Sequence, residues 1–154
     1  MNEINKEIKS LINNFLDILN LQGDINVSLS EDDNGKKYIL VEISGEKLSE
    51  LIGYHGKSLN SFQHIINLGF NRNREDRMRI ILDINGYRKK REDYLRSVAQ
   101  RAIVNVKETR QSMSLTPMNP ADRRIVHLEV KKDEDVGSES EGSDPNRYIV
   151  IKPN

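Results

Sequence analysis

The sequence predicts an α+β protein built as two small modules in series. Three observations carry this. Apolar residues recur at helical spacing in two long stretches, 4–20 and 87–110, and alternate with period two in short ones, 25–30, 36–43 and 77–84. The 154 residues suffice for one ordinary domain or two small ones. Asn85-Gly86-Tyr87 marks a boundary after which the pattern restarts, so the expected modules are residues 1–86 and 87–154.

The elements follow in order. Ile4, Ile8, Leu11, Ile12, Phe15, Leu16 and Leu19 make one apolar face of a first helix, which Gly23 ends. "INVSLS" (25–30) alternates as a half-buried strand does, "DDNG" (32–35) is a turn signal, and "KKYILVEI" (36–43) places Ile39, Val41 and Ile43 on one face. Residues 25–43 therefore read as a β-hairpin. A short helix follows with Leu48, Leu51 and Ile52 inward. Gly53 to Gly56 interrupt it, and a second helix runs from about Lys57 to Phe70 with Leu59, Phe62, Ile65 and Ile66 inward. After the polar loop "NRNRED", "RMRIILDI" (77–84) is a third strand with Met78, Ile80, Leu82 and Ile84 on one side.

The second module opens with a long helix whose stripe is Leu95, Val98, Ala99, Ala102 and Val106. Its other faces carry Arg88, Lys89, Lys90, Arg91, Arg96, Arg101, Lys107 and, at its end, Arg110. "MSLTP" (113–117) is a short strand. Asn119 caps a further helix with Pro120 at its first position, and that helix bears Arg123, Arg124 and His127. Residues 133–146 are acidic and turn-rich, the pattern of a strand edge and loop, and "RYIVI" (147–151) is the last strand.

Composition narrows the function. Hydrophobic residues make up 36% and charged residues 31%, and no apolar run reaches the roughly 18–20 residues that span a bilayer. The N-terminus mixes acidic and basic residues without an apolar signal core, so a cytoplasmic protein is expected. The absence of cysteine removes disulfides, thiolate metal sites and cysteine nucleophiles. His55, His64 and His127 have no metal-ligand spacing, so neither metal nor cofactor is expected. No carboxylate pair or nucleophile–histidine arrangement stands out, and no enzymatic activity is expected. The zero net charge hides an asymmetry: residues 53–131 hold 16 Lys/Arg against 8 Asp/Glu, between two acidic ends. That middle is either a polyanion-binding face or a helix-rich stretch with a basic solvated side.

The stretch "LIGYHGKSLNSF" (51–62) sharpens the choice. Lys-Ser after a glycine suggests the phosphate loop of a nucleotide hydrolase, G-x-x-x-x-G-K-[ST]. The first glycine would have to be residue 51, which is Leu, and a helix rather than a strand precedes the loop. The alternative is a G-x-x-G clamp on a nucleic-acid backbone. Glycines let a backbone come close, the next helix turns its unpaired amides and positive dipole end to a phosphate, and Lys57 adds charge.

"IGYHGKSL" (52–59), with strands placed on both sides, resembles the KH signature Ile-Gly-x-x-Gly-x-x-Ile/Leu, in the type II arrangement. The resemblance implies a three-stranded sheet packed by helices, Ile52 and Leu59 packing inward, and Gly53, Tyr54, His55, Gly56 and Lys57 meeting about four nucleotides. Where KH loops often carry two basic residues, this one has Tyr54, which can stack on a base, and His55, an imidazole largely neutral at pH 7. Changing Gly53 and Gly56 to Asp is expected to cut RNA affinity while leaving the fold intact.

Arg123 and His127 share a helix face, and "LTPMNPADRRIVHL" with "DPNRYIVI" resembles the R-three-H domain, a small α+β single-strand binder named for its Arg-x-x-x-His motif. An arginine fork suits phosphate or a base face, and Arg124 points about 100° away. Arg88, Lys89, Lys90, Arg124 and Arg147 form an expected secondary basic face. A KH domain followed by an R-three-H domain resembles the bacterial Jag, or SpoIIIJ-associated, family, here expected to lack the N-terminal Jag-N domain. The resemblance implies non-enzymatic binding of single-stranded RNA, with single-stranded DNA as a second ligand. It also implies a small KH-only partner protein and links to cell elongation, division and sporulation. Homodimerisation is compatible with the sequence. The competing reading is a protein-interaction adaptor with incidental RNA binding.

Overall fold

The structure is a computed structural model that describes residues 2–154; residue 1 of the expected first module lies outside them. The chain forms two compact units, one ending at Arg88 and one over Lys89–Asn154.

The first unit runs α1 (Asn2–Ile18), β1 (Asp24–Glu31), β2 (Lys37–Ser44), α2 (Ser49–Ile52), a single 3-10 turn (Tyr54–Gly56), α3 (Lys57–Asn71) and β3 (Ile80–Ile84). β1 and β2 form the expected antiparallel hairpin, closed at Asp32, whose side chain accepts from the amides of Asn34 and Lys36. β3 lies parallel to β2, Ile39 opposite Ile80, so the helices between them form the crossover that a parallel pair requires. The alternating faces Ile39, Val41, Ile43 and Ile80, Leu82, Ile84 are buried against Ile8, Ile12 and Leu16 of α1 and Leu59, Phe62, Ile66 and Phe70 of α3. Two expectations fail at helix margins. Leu19 lies past the end of α1 and is exposed, and Ile65 points outward, because the buried rows of α3 run through Phe62, Ile66 and Phe70.

β3 is an edge strand, since the sheet order is β1-β2-β3. Its open side is closed by side chains. The Asn71 amide donates to the Met78 carbonyl and accepts from its N–H, both at 2.9 Å; Asn67 does the same for Ile80 at 2.8 Å. Gln63 Oε1 accepts from Leu82 N–H at 2.9 Å, and Arg88 Nε donates to the Leu82 carbonyl at 2.7 Å.

The second unit takes most of α4 (Tyr87–Thr109), then β4 (Met113–Ser114), α5 (Pro120–Val130), β5 (Val136–Glu141) and β6 (Tyr148–Pro153), with sheet order β4-β6-β5, antiparallel throughout. Asn119 caps α5 by accepting from Asp122 N–H at 2.9 Å, and Pro120 follows at the first position. Leu95, Ala99, Ala102, Ile103 and Val106 of α4 pack with Val126 and Val130 of α5 on Val136, Ile149 and Ile151 of the sheet. Asp122 is buried and takes both Nε and Nη2 of Arg91, at 3.1 and 2.8 Å, which ties α5 to α4.

Candidate nucleic-acid interface

In the first unit the interface centres on the glycine loop. Gly53 has φ 67° and ψ −172°, a combination essentially confined to glycine, and Gly56 has φ 79° and ψ 11° in the left-handed region. His55 is left-handed as well, at φ 52° and ψ 33°. Crowding reinforces the need for glycine. A Cβ on Gly53 would collide with the Ser58 side chain, 2.7 Å from its Cβ, and one on Gly56 would lie 2.8 Å from the Tyr87 ring. The glycines thus serve the fold before any ligand arrives. This corrects the expectation that Asp at these positions would leave the fold intact.

The loop delivers its side chains outward. Tyr54 is 71% exposed and stacks on His55 with ring centroids 3.9 Å apart; Lys57 Nζ sits 5.7 Å from the Tyr54 centroid. Gly56 is the residue before α3, so no side chain caps that helix and its first-turn amides open beside Lys57. Leu59 is buried and Ile52 packs against the core, which holds the loop from both ends.

In the second unit, two serines on one face of β5 collect two of the expected binding residues. His127 Nδ1 lies 2.7 Å from Ser138 Oγ, and Arg147 Nε donates to Ser140 Oγ at 2.8 Å. Successive same-face residues of a strand are about 7 Å apart, so His127 and Arg147 sit side by side along β5. An open cleft of about 370 Å³ adjoins the His127–Ser138 pair, lined by His127, Val130, Lys131, Val136, Ser138 and Asn154. Ser138 and Ser140 escaped sequence reasoning; their alternation in "GSESE" after the acidic turn is the signal that marks them.

Arg123 does not share this exposed position. Only 9% of it is exposed, and its Nη1 donates to the Met118 carbonyl at 2.7 Å and to Asp144 at 3.0 Å. The secondary basic face also divides. Arg88 is a correction: its guanidinium turns inward to the Leu82 carbonyl and Gln63, and burial lowers its pKa. Lys89 pairs with Asp93, Arg96 with Glu92, and Lys107 with Asp133 and Asp135. Lys90 and Arg124 are exposed and form no ion pair among the described residues. Nor do the described residues contain a His/Asp/Glu cluster suited to a metal ion, or a helix long and apolar enough to cross a membrane.

Comparison with known proteins addresses both units. Residues 8–82 match the KhpA/KhpB-type KH domain, and residues 93–153 match the R-three-H domain. The chain thus carries a KH domain followed by an R-three-H domain, and its relatives named KhpB are of the Jag family. RNA-binding protein KhpB of Clostridium symbiosum is 36% identical over 135 residues, 88% of this chain and 60% of that protein. KhpB of Bacillus subtilis (strain 168) is 31% identical over 133 residues, 85% of this chain and 62% of that one. KhpB of Streptococcus pneumoniae serotype 2 is 33% identical over 129 residues, 83% and 39%. The chain therefore spans about three fifths or less of the length of these relatives.

Proposed function

We propose that this two-domain chain binds single-stranded RNA without catalysing a reaction, through the Gly53–Gly56 loop and, separately, through the His127–Arg147 edge of β5. The carrying observation is the loop: three positions of one turn with positive φ present an exposed aromatic, a lysine and the uncapped amides of a 15-residue helix at one point. Amides and Lys57 suit a phosphate, and Tyr54 suits a base. The RNA assignment is supported by the names of the relatives, RNA-binding proteins that share both domains. Two modest sites on one chain gain avidity, because engagement of one raises the effective concentration at the other. The cellular setting we infer is cytoplasmic post-transcriptional control linked to elongation, division or sporulation, with single-stranded DNA as a competing ligand and a small KH-only protein as partner. This setting follows the family resemblance.

Because the glycines hold the fold, the test uses the outward side chains. Tyr54→Ala and Lys57→Ala should each weaken RNA binding in fluorescence anisotropy while leaving the melting curve in place. Lys57→Ala should also reduce the slope of log affinity against log salt by about 1. Parental affinity and slope in both variants would remove the loop from the interface.

A further inference from the structure

We propose that Arg123 is a positioning residue that acts through Arg147, rather than a contact to the nucleic acid. The inference rests on the reading of His127 and Arg147 as RNA-facing groups. Arg123 is buried, and a single nitrogen, Nη1, bridges two segments that converge on Arg147. One is the loop before α5: Met118 gives its carbonyl to Arg123 and its N–H to the carbonyl of Arg147, at 3.1 Å. The other is the turn between β5 and β6, where Asp144 lies three residues ahead of Arg147. Arg123 thus ties together the two supports that set where the Arg147 backbone sits, and the Arg147 side chain completes the placement on Ser140. A phosphate reaching Arg123 would have to displace a carboxylate that already neutralises it. By contrast His127, one turn further along α5, is exposed on β5. The Arg-x-x-x-His spacing then serves two tasks on one helix face. The histidine meets the ligand, and the arginine fixes the cation that accompanies it.

The two roles of Arg123 predict opposite effects for its exposed acceptor, Asp144. If Arg123 touched RNA, Asp144→Ala would free its guanidinium and affinity would hold or rise. If Arg123 positions Arg147, Asp144→Ala should weaken binding about three- to tenfold. Asp144→Asn, which keeps the acceptor oxygen, should restore most of that loss. Arg123→Ala combined with Asp144→Ala should be no weaker than Arg123→Ala alone, since both cut one linkage. Anisotropy with a short fluorescein-labelled oligouridylate and the full chain reads all four, at a temperature where circular dichroism shows each variant folded. His127→Ala is the reference for the underlying reading. If His127→Ala weakens binding and Asp144→Ala does not, the positioning role is overturned by itself. If His127→Ala binds like the parent, the β5 edge is not the RNA face and both ideas fall.

Discussion

Gly53→Ala tests the loop most directly. At φ 67° and ψ −172° a side chain costs about 1–3 kcal/mol in backbone strain. The added Cβ would also meet Ser58, at 2.7 Å from its Cβ and 3.0 Å from its N. The hydroxyl can rotate away, but Cβ and N are fixed in the first turn of α3, so the loop itself must move. Strain and displacement together should cost about 2–4 kcal/mol. For a unit of this size that lowers the melting temperature by about 10–20 °C. Gly86→Ala is the control: Gly86 also has positive φ, at 68°, but nothing lies within 4 Å of the position of its Cβ. It should lose only about 1 kcal/mol. Both variants would be followed by circular dichroism and by amide spectra that assign the transition to the first unit. Equal shifts for the two would refute the collision with Ser58, and no shift for Gly53→Ala would refute the backbone argument as well.

Two further outcomes concern the second unit. Arg91→Ala strands the buried Asp122 carboxylate and should cost about 3–5 kcal/mol in urea denaturation, because the partners' side chains are only 13% and 8% exposed; a loss within experimental error would show that Asp122 finds another donor. Glu129 is held below the usual carboxylate range, chiefly by its hydrogen bond to Lys132 and then by Gln100. A depressed folded-state pKa stabilises above the unfolded value and is lost as pH falls through the folded one. The urea midpoint of the parent should therefore drop on acidification below the ordinary Glu range of about 4.3, and Glu129→Gln should flatten that drop; parallel profiles would refute the assignment.

Periodicity made the β1–β2 hairpin, the helix-flanked glycine loop and the Asn119-Pro120 start of α5 legible in the sequence, because each is specified by residues within a few positions of one another. Arg88 and Arg123 were not legible. Both read as surface cations, and what turns them inward is a distant or off-pattern acceptor: the carbonyl of Leu82 for one, Asp144 for the other. The same limit applies to the basic middle of the chain. Its Lys/Arg excess is visible in composition, but which charges remain available depends on pairings such as Lys107 with Asp133 and Asp135, 26 and 28 residues further on. Ile65 shows the complementary case, a helical apolar residue one position off the buried row.

The amide series Gln63, Asn67 and Asn71 has a consequence outside the unit that contains it. A nucleic-acid strand gathers many copies of a binder side by side, which raises their local concentration far above that in solution. Crowding of that kind is where a bare strand edge joins its neighbour's and an ordered array turns into an aggregate. On β3 the groups that would do the joining are already taken by the chain's own helix. Asn67→Leu would remove both bonds to Ile80 and uncover one rung of that edge, so its expected effect is self-association at high protein concentration, read by light scattering.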